Sequence, residues 1–257
     1  MSRKKSKHTK QTRHYIQIMF IVIFIISICS IIYYFYNANK DKNKYQEVLN
    51  NINIDEEQVT EQRTERMLQV EELKKENQDI VGWIEIEGTN INYPVVQGTD
   101  NQYYMKHTYN KENSKDGSIF LDKSYDWDIP SSNLLLYGHN NKNGTMFQNL
   151  LKYKDESFYK EHPNIRFTTI NDDCQYEIIS AFLSKVYYED EQNVFRYYYF
   201  INANDETEYN NYIEESKKAS LYDTGKSAEY GDPLLTLSTC SYHTEDGRFV
   251  VVARKIK

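Results

Sequence analysis

The stretch "TLSTCSYHTEDGR", residues 236–248, decides how this chain is read. "TLSTC" suits a buried strand and stops abruptly at Cys240. A polar loop follows, closing on Asp246-Gly247, and Arg248 then opens a new apolar run, "FVVVA". This is a strand, a loop and a strand, so if the two strands are neighbours the thiol and the guanidinium stand at the same end. A thiol becomes a nucleophile when a nearby base or cation favours the thiolate. A guanidinium can offer two charge-assisted hydrogen bonds to a developing oxyanion. Arg248 has a plainer reading too, as a surface strand-end residue paired with Glu245 or Asp246.

The base must come from another part of the chain, because nucleophile and histidine need only be adjacent in space. His8 and His14 lie before a long apolar segment, which leaves His107, His139, His162 and His243. His139 ends the apolar run "NLLLYGH" (133–139), so it emerges at a strand end as Cys240 does, and Gly138 before it permits a close approach of backbone or ligand. His243 is the rival, in a loop that would have to fold back. His162, before Pro163, reads as a helix-end surface residue. No HExxH, CxxC or other His/Cys pair at ligand spacing occurs, nor any phosphate-cradling glycine loop, so neither metal nor cofactor is expected.

Residues 16–36, "IQIMFIVIFIISICSIIYYFY", carry no charge over 21 positions. At about 1.5 Å per residue that spans the roughly 30 Å hydrocarbon layer of a bilayer. A cleavable signal peptide has a shorter apolar core and a small-x-small site, and "YNANK" is a poor one, so an uncleaved anchor is the reading adopted. Tyr33, Tyr34 and Tyr36 suit an interfacial aromatic belt. Residues 1–15 hold six Lys/Arg and no acid, which places the N-terminus in the cytoplasm and residues beyond 37 outside.

Nine Lys/Arg against one Asp give residues 1–44 a charge of +8; with −7 overall, residues 45–257 carry −15. A surface that acidic argues against nucleic acid as a partner, and "RYYYF" (196–200) reads as packed aromatics rather than a base-stacking platform. Beyond Cys29 in the apolar segment, only Cys174 and Cys240 remain. They leave room for one disulfide but make no framework, and an unpaired exported thiol suggests use. Cys174, in "NDDCQYEI", sits at an ordinary turn-to-strand junction.

Residues 37–79 read as a helical stalk and N-terminal helices, with Val59, Met67, Val70 and Leu73 as a thin apolar stripe; a solvated spacer is the alternative. From residue 80 short strands take over: 80–87, 91–97 (bent or at an edge, given Pro94), 117–122, 133–139, 164–170, 175–186, 233–240 and 248–255. Residues 100–107 suit a short helix, and 144–155 have helical spacing. The insert 187–232, with a helix near 206–220, is long enough to suggest function. Roughly eight such strands fit a mainly β fold, a closed or nearly closed barrel with added helices. The domain plan is a basic tail (1–15), an anchor (16–36), the stalk (37–79) and the barrel (80–257).

Four stretches together resemble a sortase, specifically of class B: 73–107, "GSIFLD" (117–122), "NLLLYGHNNKNGTMFQNL" (133–150) and "TLSTC" (236–240) with Arg248. The resemblance covers roughly residues 70–255. It implies an eight-stranded sortase barrel with N-terminal helices and a helix in the β6/β7 loop, no cofactor, and a catalytic trio of Cys240, His139 and Arg248. Ser238, Thr239 and Tyr242, which flank the cysteine, are the residues expected to meet substrate. The implied activity is a membrane-anchored cysteine transpeptidase. It would cleave a C-terminal sorting motif after Thr in exported proteins and join the thioacyl product to a peptidoglycan amine. One departure stands out: class B members often carry an acid just after the cysteine, where this chain has Ser241 and Tyr242. Papain-type and L,D-transpeptidase readings fail on context, since neither a CGxCW-like nor an SxGC-type motif is present. A decayed wall-binding protein and a pilin-polymerising sortase remain the alternatives. "SYDWDIP" (124–130) lacks the Asp-Pro-aromatic lid of the latter and reads as a loop.

Overall fold

The computed structural model describes residues 15–36, Lys40, Asn43, 63–129 and 131–256. The expected basic tail and most of the stalk, including Val59, lie outside the described residues. One helix, α1 (Tyr15–Tyr36), is long and apolar enough to cross a membrane, and its side chains are exposed. The described residues from 63 onward fold as one compact unit.

Eight strands build that unit. They are β1 (Ile80–Glu85), β2 (Asn92–Val96), β3 (Ile119–Leu121), β4 (Asn133–Tyr137), β5 (Asn164–Thr168), β6 (Asp173–Lys185), β7 (Leu234–Cys240) and β8 (Gly247–Lys255). They close in the order β1-β2-β3-β4-β7-β8-β6-β5, with β1 pairing β5. Closure removes free sheet edges, which is how a short-stranded β protein avoids edge pairing. Pro94 lies within β2 opposite Trp83, at a point where β2 has not yet begun to pair with β3; that pairing starts at Val95, so no ladder donor is lost.

Helix α2 (Glu65–Glu76) is capped by Thr64, whose hydroxyl accepts from the Met67 amide, and buries Met67, Leu68, Val70 and Leu73. It packs on β1. Helix α2 belongs to the compact unit. Residues 148–154 form a 3₁₀ segment rather than the expected α-helix, and α3 (Glu156–Glu161) follows, N-capped by Asp155. Residues 103–105 are likewise a single 3₁₀ turn.

Strand alternation explains where the insert between β6 and β7 goes. Leu135, Leu234, Val250, Val252 and Phe182 share one sheet face, and that face is apolar. Tyr197, Phe200, Tyr209, Tyr212 and Ile213 of the insert pack upon it, the last three on α4 (Glu206–Ala219). Two tyrosine hydroxyls meet β7 there. Tyr212 Oη lies 2.8 Å from Thr236 Oγ1, and Tyr197 Oη 2.7 Å from Ser238 Oγ. Thr236 spends its one hydroxyl hydrogen on Asn133 Oδ1, so Tyr212 is the donor in the first pair. Asn133 in turn donates to the Phe200 carbonyl, tying β4 to the same insert.

The return of the insert is held by ions. Glu177 on β6 accepts from Lys226 (2.9 Å) and Arg254 of β8 (2.5 Å), and Arg254 also reaches Asp232 (3.4 Å). Burial works against ionising Glu177, but the hydrogen bonds from Lys226 and Arg254 outweigh it and hold the carboxyl below its usual 4.5. A depressed folded pKa means the clamp contributes fully above about pH 4.5 and is lost as pH falls through the depressed value. Glu177→Gln should lower the melting temperature at neutral pH and flatten its acid-side decline; calorimetry between pH 7 and 3 checks both.

Candidate active site

The parallel pairing of β4 with β7 sets Tyr137 opposite Ser238, and the Gly138 amide donates to the Ser238 carbonyl at 3.2 Å, carrying the register one residue further. Two positions beyond Tyr137 and Ser238, the same face carries His139 and Cys240. Across the antiparallel β7–β8 pair, Cys240 is the register partner of Arg248. Three residues from two distant parts of the sequence thus form one row at the end of the insert-covered face. All three are half-buried and line one cavity of about 240 Å³. Insert residues Tyr197 and Tyr198, with Val186 just before it, form part of the same wall.

Each member of the row is held by backbone. His139 Nε2 lies 2.8 Å from the Met105 carbonyl. A carbonyl only accepts, so the hydrogen is on Nε2, leaving Nδ1 as the nitrogen that can take up a proton. Asn140 Nδ2 donates to the Cys240 carbonyl at 3.1 Å. Arg248 Nη1 donates to the carbonyls of Asp246 (3.1 Å) and Gly247 (3.0 Å), and no ion pair to Glu245 or Asp246 forms among the described residues. The other guanidinium nitrogens make no hydrogen bond among the described residues. Gly138 is required by packing: a Cβ would sit 2.4 Å from Ile119 Cδ1 and 2.8 Å from Phe147 Cδ2. The close approach expected at Gly138 is therefore made by core side chains.

Ser238 and Thr239 line the cavity, each with its hydroxyl engaged, Ser238 with Tyr197 and Thr239 with the Gly138 carbonyl at 2.7 Å. Tyr242 stands 80% exposed in the loop after β7 and is not part of the lining. His243, the rival base, is exposed and bonded to Ser241 Oγ at 3.1 Å, also outside the lining. His107 stacks on Tyr103, and His162 caps α3 and bonds the Glu87 carbonyl. Trp127 donates to Gln97 and does not cover the cavity.

Several lining residues escaped the sequence reading: Asn101, Met105, Phe120 and Tyr137. Tyr137 alone had a signal, being two residues before His139 on the same strand face. Its hydroxyl donates to Asp122 Oδ2 (3.1 Å), and burial, with the Asp122 charge behind it, pushes the phenol far above its usual range. Tyr197 is pushed up by burial as well. Both phenols stay neutral beside Arg248.

Residues 84–256 match the sortase domain. The chain is 31% identical over 244 residues to sortase B of Staphylococcus aureus, covering 94% of this chain and 96% of that protein. The chain belongs to the sortase family. Sortase B of Listeria monocytogenes is 32% identical over 190 residues, 73% of this chain and 74% of that one. The crystal structure of sortase B from B. anthracis superposes with a TM-score of 0.73 at 34% identity, covering 87% of this chain and 99% of the other. Class B is the class these relatives share. Sortases are cysteine transpeptidases of the cell envelope that act on protein substrates and cell-wall amines, and α1 is consistent with a single-pass anchor.

The two thiols outside α1 differ in kind. Both are free. Cys174 begins β6 at the barrel end opposite Cys240, roughly 20 Å away along seven residues of β8, far beyond the ~7 Å Cα limit of a disulfide. Burial, with a hydrogen bond to Asp172, pushes the Cys174 thiol up to about 11. In a Cys29→Ser background, iodoacetamide at neutral pH should label Cys240 and spare Cys174 until the protein is unfolded, as read by peptide mass spectrometry.

Proposed function

We propose that this sortase cleaves a short C-terminal sorting motif after threonine in exported proteins and joins the acyl group to a peptidoglycan amine. The observation that carries this reading is the row His139–Cys240–Arg248 within one cavity. The Cys240 thiolate attacks the threonine carbonyl. Arg248, which bonds backbone through one nitrogen, directs its remaining donors at the oxyanion. The proton for the leaving amine comes from His139 Nδ1, since Nε2–H is committed to Met105. The leaving segment departs and the substrate remains as a thioester, which keeps the energy needed to form a new amide. His139 then takes a proton from the incoming amine, and the second tetrahedral intermediate collapses with release of Cys240.

The helix α1, with the basic residues before it, supports an N-terminus in the cytoplasm and the barrel outside, facing the wall. Val186, Tyr197 and Tyr198 in the cavity wall support a role for the insert in reading the sorting peptide.

The test is to incubate the full-length chain in detergent with a panel of threonine-containing pentapeptides and search for a thioacyl adduct by mass spectrometry. An adduct on Cys240 ending in threonine supports the reading; an adduct on another residue, or cleavage elsewhere, overturns it. Cys240→Ala should abolish the adduct with the fold intact. Arg248→Ala should lower single-turnover acylation by about 10²–10³, mainly in kcat, with Arg248→Lys recovering part of the loss.

A further inference from the structure

The loop after His139, "NNKNGTM" (140–146), closes on the strand end it leaves. Asn140 and Met146 pair as a bridge, and the Phe147 amide donates to the His139 carbonyl at 2.9 Å. Asn140 bonds the Cys240 carbonyl. The backbone of the histidine and the carbonyl of the cysteine are therefore both held by this loop.

One buried carboxylate organises the loop from beneath. Asp116 is 9% exposed, and its Oδ2 accepts from Asn143 Nδ2 at 2.8 Å; Thr145 Oγ1 lies 3.2 Å from the same oxygen and 2.7 Å from Asn143 Oδ1, and its one hydrogen serves one of the two. Its backbone carbonyl accepts from Asn141 at 3.4 Å. It makes no ion pair among the described residues. The next residue, Gly117, has φ +62, and a Cβ on it would lie 2.8 Å from the Met105 carbonyl oxygen and 3.0 Å from His139 Cδ2. The segment bearing Asp116 thus touches the imidazole and the carbonyl that orients it, while its carboxylate grips the loop on the other side.

We propose that Asp116 is a positioning residue for His139, setting the imidazole against Cys240 through the 140–146 loop. The inference rests on the reading of His139 as proton donor to the leaving amine. Displacement of a reacting group by about 1 Å can cost about 10²-fold in rate. Asp116→Ala strands the Asn143 donor and loosens the loop, so the penalty should fall on the step that needs the proton.

The experiment compares two substrates with the same acyl part, one a peptide amide and one a phenyl ester whose leaving group needs no proton, using full-length protein in detergent. His139→Ala should slow the amide far more than the ester. Asp116→Ala should show the same selectivity, lowering kcat on the amide by about 10- to 100-fold with little change in KM. Asp116→Asn should restore most of it, since the contacts are to one carboxylate oxygen that an amide oxygen can replace. Asn143→Ala, which leaves the Thr145 hydroxyl free to turn to Asp116, should lie between and carries the test if Asp116→Ala does not fold. If His139→Ala is selective but Asp116→Ala slows both substrates equally or neither, the inference is overturned. If His139→Ala itself shows no selectivity, the proton-donor reading falls, and this inference with it.

Discussion

The site depends on the register of one strand. β7 pairs in parallel with β4 and antiparallel with β8, and both pairings must hold for His139, Cys240 and Arg248 to share a row. A slip of one residue in β7 would turn Cys240 toward the barrel interior and present Thr239 in its place. Leu235 and Leu237 against Thr236 and Ser238 resist that slip. The leucines face the core, and the two hydroxyls are matched to Tyr212 and Tyr197 of the insert. A slipped strand would bury unpaired hydroxyls in the barrel and set leucine against the Tyr212 and Tyr197 hydroxyls, two penalties of the kind that specify a register.

The same alternation explains what sequence could and could not convey. All eight strands were legible because their apolar runs are bounded by turn residues, and Cys240 and His139 were legible because each ends such a run. Arg248 was legible from its place after Asp246-Gly247. Tyr242 was read from proximity in sequence alone, and the turn after β7 carries it outward. The carbonyl of Met105 has no signature, since any residue supplies a carbonyl. The 3₁₀ course of residues 148–154 was hidden because apolar spacing does not separate 3.0 from 3.6 residues per turn over so short a span. Met67, Val70 and Leu73, the thin stripe read from the sequence, are buried in α2.

The insert has two tasks that its composition serves together. Its aromatic residues cover the apolar outer face of β4, β7 and β8, and its first segment also walls the cavity. Tyrosine suits this double use, with a large apolar body and one polar tip. Here the tips of Tyr197 and Tyr212 point at β7, two residues apart on the strand that ends in the thiol. The acid that class members often carry after the cysteine is absent. A buried acid, Asp116, lies instead behind the histidine loop.

The strand order β7-β8-β6 has a consequence for how the enzyme comes into being. β8 follows both of its neighbours in sequence, so it must slide into a gap between strands already synthesised, beneath an insert that spans it. Domains form as the chain emerges from its N-terminal side, and pairings between distant segments close last. The guanidinium therefore joins the thiol only when the barrel shuts. A chain whose last strand is not yet in place carries a cysteine without its cation, and chemical competence arrives together with closure.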